Sequence, residues 1–539
     1  MTVYSSWFEQ VSIPEDQSWP AYFFSQTRKF ENRTAVVCNQ TGKSWTFGEL
    51  RRIVDRLTGG LERIGLRKDD VVAVCLRNCP EFLAVTLAAQ ALGVVITTCN
   101  PAYTQDELLH QFQDTKPVCV VTQSEFVKSI LSLRKEVPSL KKIITTDPSP
   151  APCLTLRSLI DSSSGRPAKL PDLSPKNTVA YILYSSGTTG LPKGVLLSHY
   201  ALVANVHLYN NAKASDKEFV KVECTDVAVT TFPFFHAGGV CTLMFSVVSG
   251  ATVVSVPKYE HSIFLNALEK HRATVAFVAP PVLIFLAKSE QVSRYDLSSL
   301  RTVFSGAAPV PSQVTVEAAD RLALKHFVQL YGMTELGVLC HATPAGPITP
   351  SAGVLLPNLQ CKVVDIETLK PLESNKSGEI WVRSPCVMIG YLNNPQATAD
   401  ALLEGGWLRT GDIGYVDWNG NLYIEDRLKE LIKVRAYQVA PAELENVILG
   451  HPSVADVAVV GVPDSYSGET PRAYVVLKAG QTATVDQIKQ CVKEKLIYYK
   501  QLTGGVRFVE QLPKTGSGKM LRRQLRDEAR REVLLKPKL

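Results

Sequence analysis

The apolar positions of the chain fall into two alternating textures. From about Ala35 onward, helical segments are followed by short β-branched runs, and the alternation recurs over most of the length. Two long charge-free stretches show the change clearly. Phe82 to Thr98 reads LAAQALG and then VVITT, while Gly239 to Pro257 reads LMFSVVSG and then ATVVSV. Each approaches membrane-spanning length, but each has an internal glycine where a helix stops and a β-branched run begins. Buried helix followed by buried strand is the expected form, with sheets covered on both faces. VAYILYSS and VLLSH predict two further strands on either side of a Gly/Ser/Thr loop. A Pro/Ser/Gly-rich stretch from Asp147 to Pro175 reads as a surface connection. Past Asp426 the segments become shorter and more charged, as in RLKELIK and VDQIKQCVKEKL. The expected fold is therefore α/β, with a large N-terminal domain over 1–425 and a small α+β domain over 426–539.

Composition adds limits. A chain of 539 residues is too long for one core. Its net charge of +7, from 58 basic and 51 acidic residues, owes much to KMLRRQLRDEARREVLLKPKL near the end. That excess is too mild and too local to predict a nucleic-acid partner. The twelve cysteines are scattered, without CxxC pairs or histidines at metal-ligand spacing, and are expected to be free thiols. The first residues, MTVYSSWFEQVSIPEDQS, have neither the basic nor the apolar region of a signal peptide.

The loop between the two predicted strands, SSGTTGLPKG over 185–194, suggests phosphate chemistry. Short hydroxyls, glycines that accept positive φ and one lysine suit a loop whose backbone N–H groups wrap a phosphate chain. It differs from the common GxxxxGK loop, because strands flank it on both sides and no helix N-terminus helps hold the anion. It is expected to close over a nucleotide as a flap, with an ordinary hairpin turn as the alternative. Six more motifs follow in order: FPFFHAGG (232–239), SGAAP (305–309), YGMTE (331–335), GWLRTGD (406–412), EDRLKELIK (425–433) and PKTGSGK (513–519).

Together these seven motifs resemble the adenylate-forming (ANL) superfamily, within it the branch of 4-coumarate CoA ligases, luciferases and acyl-CoA synthetases, from about residue 20 to 530. The resemblance implies a large adenylate-forming domain with a small mobile lid, and an enzyme that joins a carboxylate to the α-phosphate of ATP before passing the acyl group to coenzyme A. It implies that Ser185, Ser186, Gly187, Thr188, Thr189, Gly190 and Lys193 cradle phosphates. Gly306, Ala307, Gln329, Leu330, Tyr331 and Gly332 would meet the nucleotide, Thr334 the α-phosphate, and Glu335 a Mg²⁺ ion, which prefers carboxylate and phosphate oxygens. Asp412, assisted by Arg427, would hold the ribose. Lys519 would be the catalytic lysine of adenylation, and His236, with Gly239, Ala307 and Leu330, would bound the acyl pocket. Lys429 falls at the hinge, and Lys258, Lys433, Arg435 and Ala436 fall where the family meets coenzyme A. Two positions depart from the pattern. Ala436 stands where glycine is usual, and its methyl narrows the pantetheine passage. Leu330 stands where ligases of hydroxycinnamates commonly have glycine, and it reshapes the end of the acyl pocket.

An acid:CoA ligase for a hydrophobic or aromatic acid is the leading reading. Loading of a carrier protein with an amino acid would need an acidic residue for the substrate ammonium, and TFPFFHAGGVC has none. A luciferase-like oxygenase would share the same scaffold. A nucleotide-binding protein without catalysis would have lost a key group, yet Lys519, Glu335, Thr334 and Asp412 are all present. Pro537, Lys538 and Leu539 resemble the S-K-L type of peroxisomal signal, read by an import receptor, with the cytoplasm as the other expected location.

Overall fold

The computed structural model describes residues 2–148, 153–165, 170–185, 192–308, 312–428, 430–434, 437–464, 467–514 and 520–535. Two large, mostly parallel sheets carry the N-terminal body. One has eight strands and is built around Val71–Cys75, Val95–Thr98, Cys119–Thr122 and Val179–Ser185; the other has nine and includes Val227–Thr230, Thr252–Ser255, Val275–Val278, Thr302–Ser305 and His326–Tyr331. One continuous core joins them, since Val74, Ile96 and Leu183 of the first sheet and Phe277, Phe304 and Val328 of the second belong to the same buried cluster.

Both charge-free stretches fold as helix and then strand. Pro80–Ala91 is a helix with every residue buried, and Gly93 at φ +70° turns the chain into Val95–Thr98. Ala237–Val248 is a nearly fully buried helix, and Gly250 at φ +82° leads to Thr252–Ser255. Helices without a polar face must be covered all round, and these are. Among the described residues no helix is long and apolar enough to cross a membrane, and all twelve cysteines are unpaired. Within the Asp147–Pro175 stretch, expected as a surface connection, lies the short helix Leu156–Asp161, whose Leu156 and Leu159 are buried, because two leucines three apart reach the core from one helix face.

A third, six-stranded sheet contains Trp407–Val416 and Leu422–Arg427. Asp426 and Arg427 close its last strand, opposite Ile413 and Asp412. The next strand, Ile432–Val434, already belongs to the five-stranded sheet of the C-terminal part, which has its own cores around Leu444, Val459 and Ile488, and around Tyr474 and Leu525. The change of sheet thus falls between Arg427 and Ile432.

Candidate active site

Four of the motif loops leave the carboxyl ends of strands. FPFFHAGG follows Val227–Thr230, SGAAP ends Thr302–Ser305, YGMTE ends His326–Tyr331, and the SSGTTG loop leaves Val179–Ser185. Val227–Thr230 lies between Thr252–Ser255 on one side and Val275–Val278 on the other, so chain connections diverge from it in both directions. In open α/β sheets that divergence opens the crevice where ligands bind. A cavity of about 420 Å³ occupies this place.

Its lining combines two chemistries. Phe232, His236, Gly238, Cys241, Ala307, Leu330 and Leu339 make an end that is largely apolar, and Lys193, Thr334, Glu335, Tyr391, Arg409 and Arg427 make a polar one. Adjacent residues separate them. Successive strand side chains face opposite ways, so Tyr331 reaches Asp412 while Leu330 packs toward the apolar core.

The polar end is tightly organised. Glu335 is buried, and Oε1 of its carboxylate accepts hydrogen bonds from Ser185 Oγ at 3.1 Å and Tyr391 Oη at 2.9 Å. Burial and the neighbouring Glu335 push the Tyr391 phenol up, so it stays a donor. Lys193 stands opposite Ser185 in the hairpin, with its ammonium 4.9 Å from the centre of the Tyr391 ring. The buried Asp412 accepts from Tyr331 Oη at 2.7 Å and pairs with Arg427 Nε at 2.5 Å. Burial and this carboxylate hold the Tyr331 phenol well above its ordinary range, and the same carboxylate raises Arg427. Arg409 pairs with buried Glu379 at 2.8 Å, and Trp381 Nε1 donates to the same Glu379 oxygen at 2.9 Å.

At the apolar end, His236 caps Ala237–Val248, with Nδ1 accepting from Gly238 N at 3.3 Å. Asn78 pins the loop before it by donating to Phe232 O and accepting from Phe234 N. Ala307, at φ +74°, holds a left-handed backbone at the cavity wall, a strained form for a residue with a Cβ.

The expected residues divide accordingly. Ser185, Lys193, His236, Gly306, Ala307, Leu330, Tyr331, Gly332, Thr334, Glu335 and Arg427 line the cavity, and Asp412 stands behind Tyr331 and Arg427. Two expected residues are not among those lining the cavity. At Gly239 the direction a side chain would take is closed by Pro233 O at 1.9 Å, and its neighbour Gly238 lines the wall. Gln329 is not among the lining residues, and its backbone N–H donates to Thr343 Oγ1. Lys258 pairs with Glu260 at 2.7 Å away from the cavity, and Lys433 lies exposed on Ile432–Val434. Ser186, Gly187, Thr188, Thr189, Gly190, Lys429, Arg435, Ala436, Lys519, Pro537, Lys538 and Leu539 lie outside the described residues. Sequence reasoning missed Tyr391, Glu379, Arg409 and Asn78. Arg409 stands inside GWLRTGD and was within reach, whereas Tyr391 meets Glu335 only through the fold.

The chain belongs to the AMP-binding enzyme family, which it matches over residues 23–392, with the AMP-binding enzyme C-terminal domain matched over 443–519. It is 37% identical to 4-coumarate–CoA ligase 3 of Arabidopsis thaliana over 531 residues, covering 97% of this chain and 93% of that one. The fold superposes on an anthranilate CoA ligase in complex with anthranoyl-AMP with a TM-score of 0.89, at 24% identity, covering 97% of this chain and 99% of that one. ATP-bound MatB from Rhodopseudomonas palustris gives a TM-score of 0.85 at 27% identity, covering 95% of this chain and 99% of that one.

Proposed function

We propose that the chain is an AMP-forming acid:CoA ligase that activates a hydrophobic or aromatic carboxylic acid as its adenylate, releases pyrophosphate, and transfers the acyl group to the thiol of coenzyme A. The observation that carries this reading is the single cavity joining an apolar end beside His236 to the polar end at Thr334, Glu335 and Arg427. An acid tail and a nucleotide then meet with the carboxylate at the junction. In the first step a carboxylate oxygen bonds to the α-phosphorus as the bond to pyrophosphate breaks. Thr334 and Lys519 are assigned to the charge that develops there, and Asp412 with Arg427 to the ribose.

Glu335 is the group assigned to Mg²⁺. Among the described residues no cluster of three or more His, Cys, Asp or Glu could cage a metal alone. One fixed carboxylate beside a phosphate site suits an ion that takes one or two carboxylates and fills its shell with phosphate and water. When bound, it would neutralise phosphate charge. Lys429 is assigned to the pivot between the two half-reactions, and Lys258, Lys433, Arg435 and Ala436 to the coenzyme A side.

Screening carboxylic acids for ATP-dependent pyrophosphate release, with and without coenzyme A, tests the activity. Acyl-CoA, AMP and pyrophosphate are the expected products, and no acid-dependent release from any acid defeats the reading. Lys519→Ala is expected to slow adenylate formation on the order of 10² to 10³-fold while thioester formation from supplied acyl-AMP is largely kept; equal losses in both would remove Lys519 from the first step. Peroxisomal address is a further part of the proposal. A fluorescent protein ending in LLKPKL is expected to become punctate with a peroxisomal marker, and diffuse signal from the enzyme itself would place it in the cytosol.

A further inference from the structure

Behind the apolar end of the main cavity lies a second, smaller chamber of about 20 Å³. Cys241, Thr242, Leu330 and Leu339 line both spaces, so these four side chains form the wall between them. A water-sized sphere takes roughly 10 to 15 Å³ on this measure, so the inner chamber has room for one or two carbon-sized groups. Its far side includes the rings of Phe245, Phe277 and Phe304, and its surface is carbon almost throughout.

Three of the polar side chains around it already have partners. Thr242 Oγ1 donates to Gly239 O at 3.1 Å and lies 3.3 Å from Thr230 Oγ1. Tyr209 Oη donates to Val220 O at 2.7 Å, and Ser249 Oγ to Phe245 O at 2.9 Å. Burial pushes the Cys241 thiol up, so it remains a small, weakly polar wall group. Asn210 also lines the chamber, whose surface as a whole is almost entirely apolar. A hydroxyl delivered to this end would give up its bonds to water and meet a wall with almost no exposed polar surface.

We infer that this site takes acids whose far end is plain hydrocarbon, an unsubstituted aryl or alkyl tail, and that Leu330 is the partition setting how far such a tail extends. The inference rests on the ligase reading and narrows it. It also separates this chain from relatives named for 4-coumarate, an acid whose tail ends in a phenol. Size alone would admit both kinds of acid, and what distinguishes them is the near absence of polar surface at this end. Pockets of this sort reject an added hydroxyl only moderately, by about 10- to 100-fold.

The test compares matched acids that differ at the tail end, cinnamate with 4-coumarate and octanoate with 8-hydroxyoctanoate, by kcat/KM for acid-dependent AMP formation in the presence of coenzyme A. The hydrocarbon-ended member of each pair is expected to be favoured about 10- to 100-fold. Equal or reversed preference, with product still forming, overturns the inference and leaves the ligase reading standing. No acid-dependent AMP in any arm overturns the ligase reading and the inference with it. For the partition, Leu330→Gly and the milder Leu330→Ala are assayed on a ladder of straight-chain acids. Removing the wall is expected to move the optimum up by one or two carbons in whichever variant folds. An optimum that stays in place in a folded variant shows that Leu330 does not divide the two spaces.

Discussion

Gly332 shows how little room a single position can leave. A Cβ there would stand 1.7 Å from Val338 O, and that neighbour is backbone and cannot swing aside. Gly332→Ala is therefore expected to push Met333, Thr334 and Glu335 out of register, costing roughly 1 to 3 kcal/mol of stability and lowering kcat/KM by more than about tenfold. Thermal unfolding and steady-state assays check this, and a variant indistinguishable in both would show that the turn relaxes freely. Why the site was largely readable follows from the same geometry. Glycines, short hydroxyls and single charges in seven ordered motifs stand out together, so His236, Thr334, Glu335 and Asp412 were expected from the resemblance those motifs carry and not from any one of them alone. Tyr391 was not, because 56 positions separate it from the Glu335 oxygen it binds. Gly238 and Gly239 look alike in the sequence, and only the Pro233 carbonyl tells them apart.

Among the elements, the alternation of helix and strand carried most of the fold, since apolar runs broken by a glycine have one good solution in a two-sheet body. Couplings between elements left no such pattern. Asp426 is the next-to-last residue of the strand Leu422–Arg427, yet its Oδ2 accepts from Ala442 N at 2.9 Å, in the first turn of the helix Pro441–Leu449. It supplies to that helix the side-chain cap that Ala440 cannot. Asp426→Ala is expected to cost about 0.5 to 2 kcal/mol. The loss should appear as easier proteolysis around residues 428–431. Unchanged cleavage together with unchanged unfolding would mean that the contact contributes nothing to docking.

For the whole molecule, buried histidines predict sensitivity to acid. Burial drives His341 down to about 3 and His199 down to about 4 from an ordinary value of 6.5. His199 Nδ1 accepts from Trp19 N at 3.2 Å, and its Nε2 has no partner among the described residues. Both folded values lie below the unfolded one, so below pH 6.5 the unfolded chain takes up protons first and stability falls toward pH 4. At pH 5 each histidine accounts for about 2 kcal/mol of that loss. Asp426 opposes it, because burial raises its carboxyl to about 6 and the folded state gains about 1 kcal/mol as the pH drops from 7 to 5. A net loss of about 2 to 3 kcal/mol in denaturant unfolding is expected over that interval. His341→Gln should flatten it, and a slope unchanged by the substitution would clear His341 of the effect. Arg427 has a different kind of consequence. It is the last residue of the large body's sheet, clamped to Asp412, and it precedes Lys429 by two positions. On the proposed pivot at Lys429, the small domain would turn while Arg427, Tyr391 and Glu335 stayed in place. The mixed anhydride would then not change custody between the half-reactions. Only the surroundings on its open side would be exchanged, leaving an intermediate that water destroys few chances to escape.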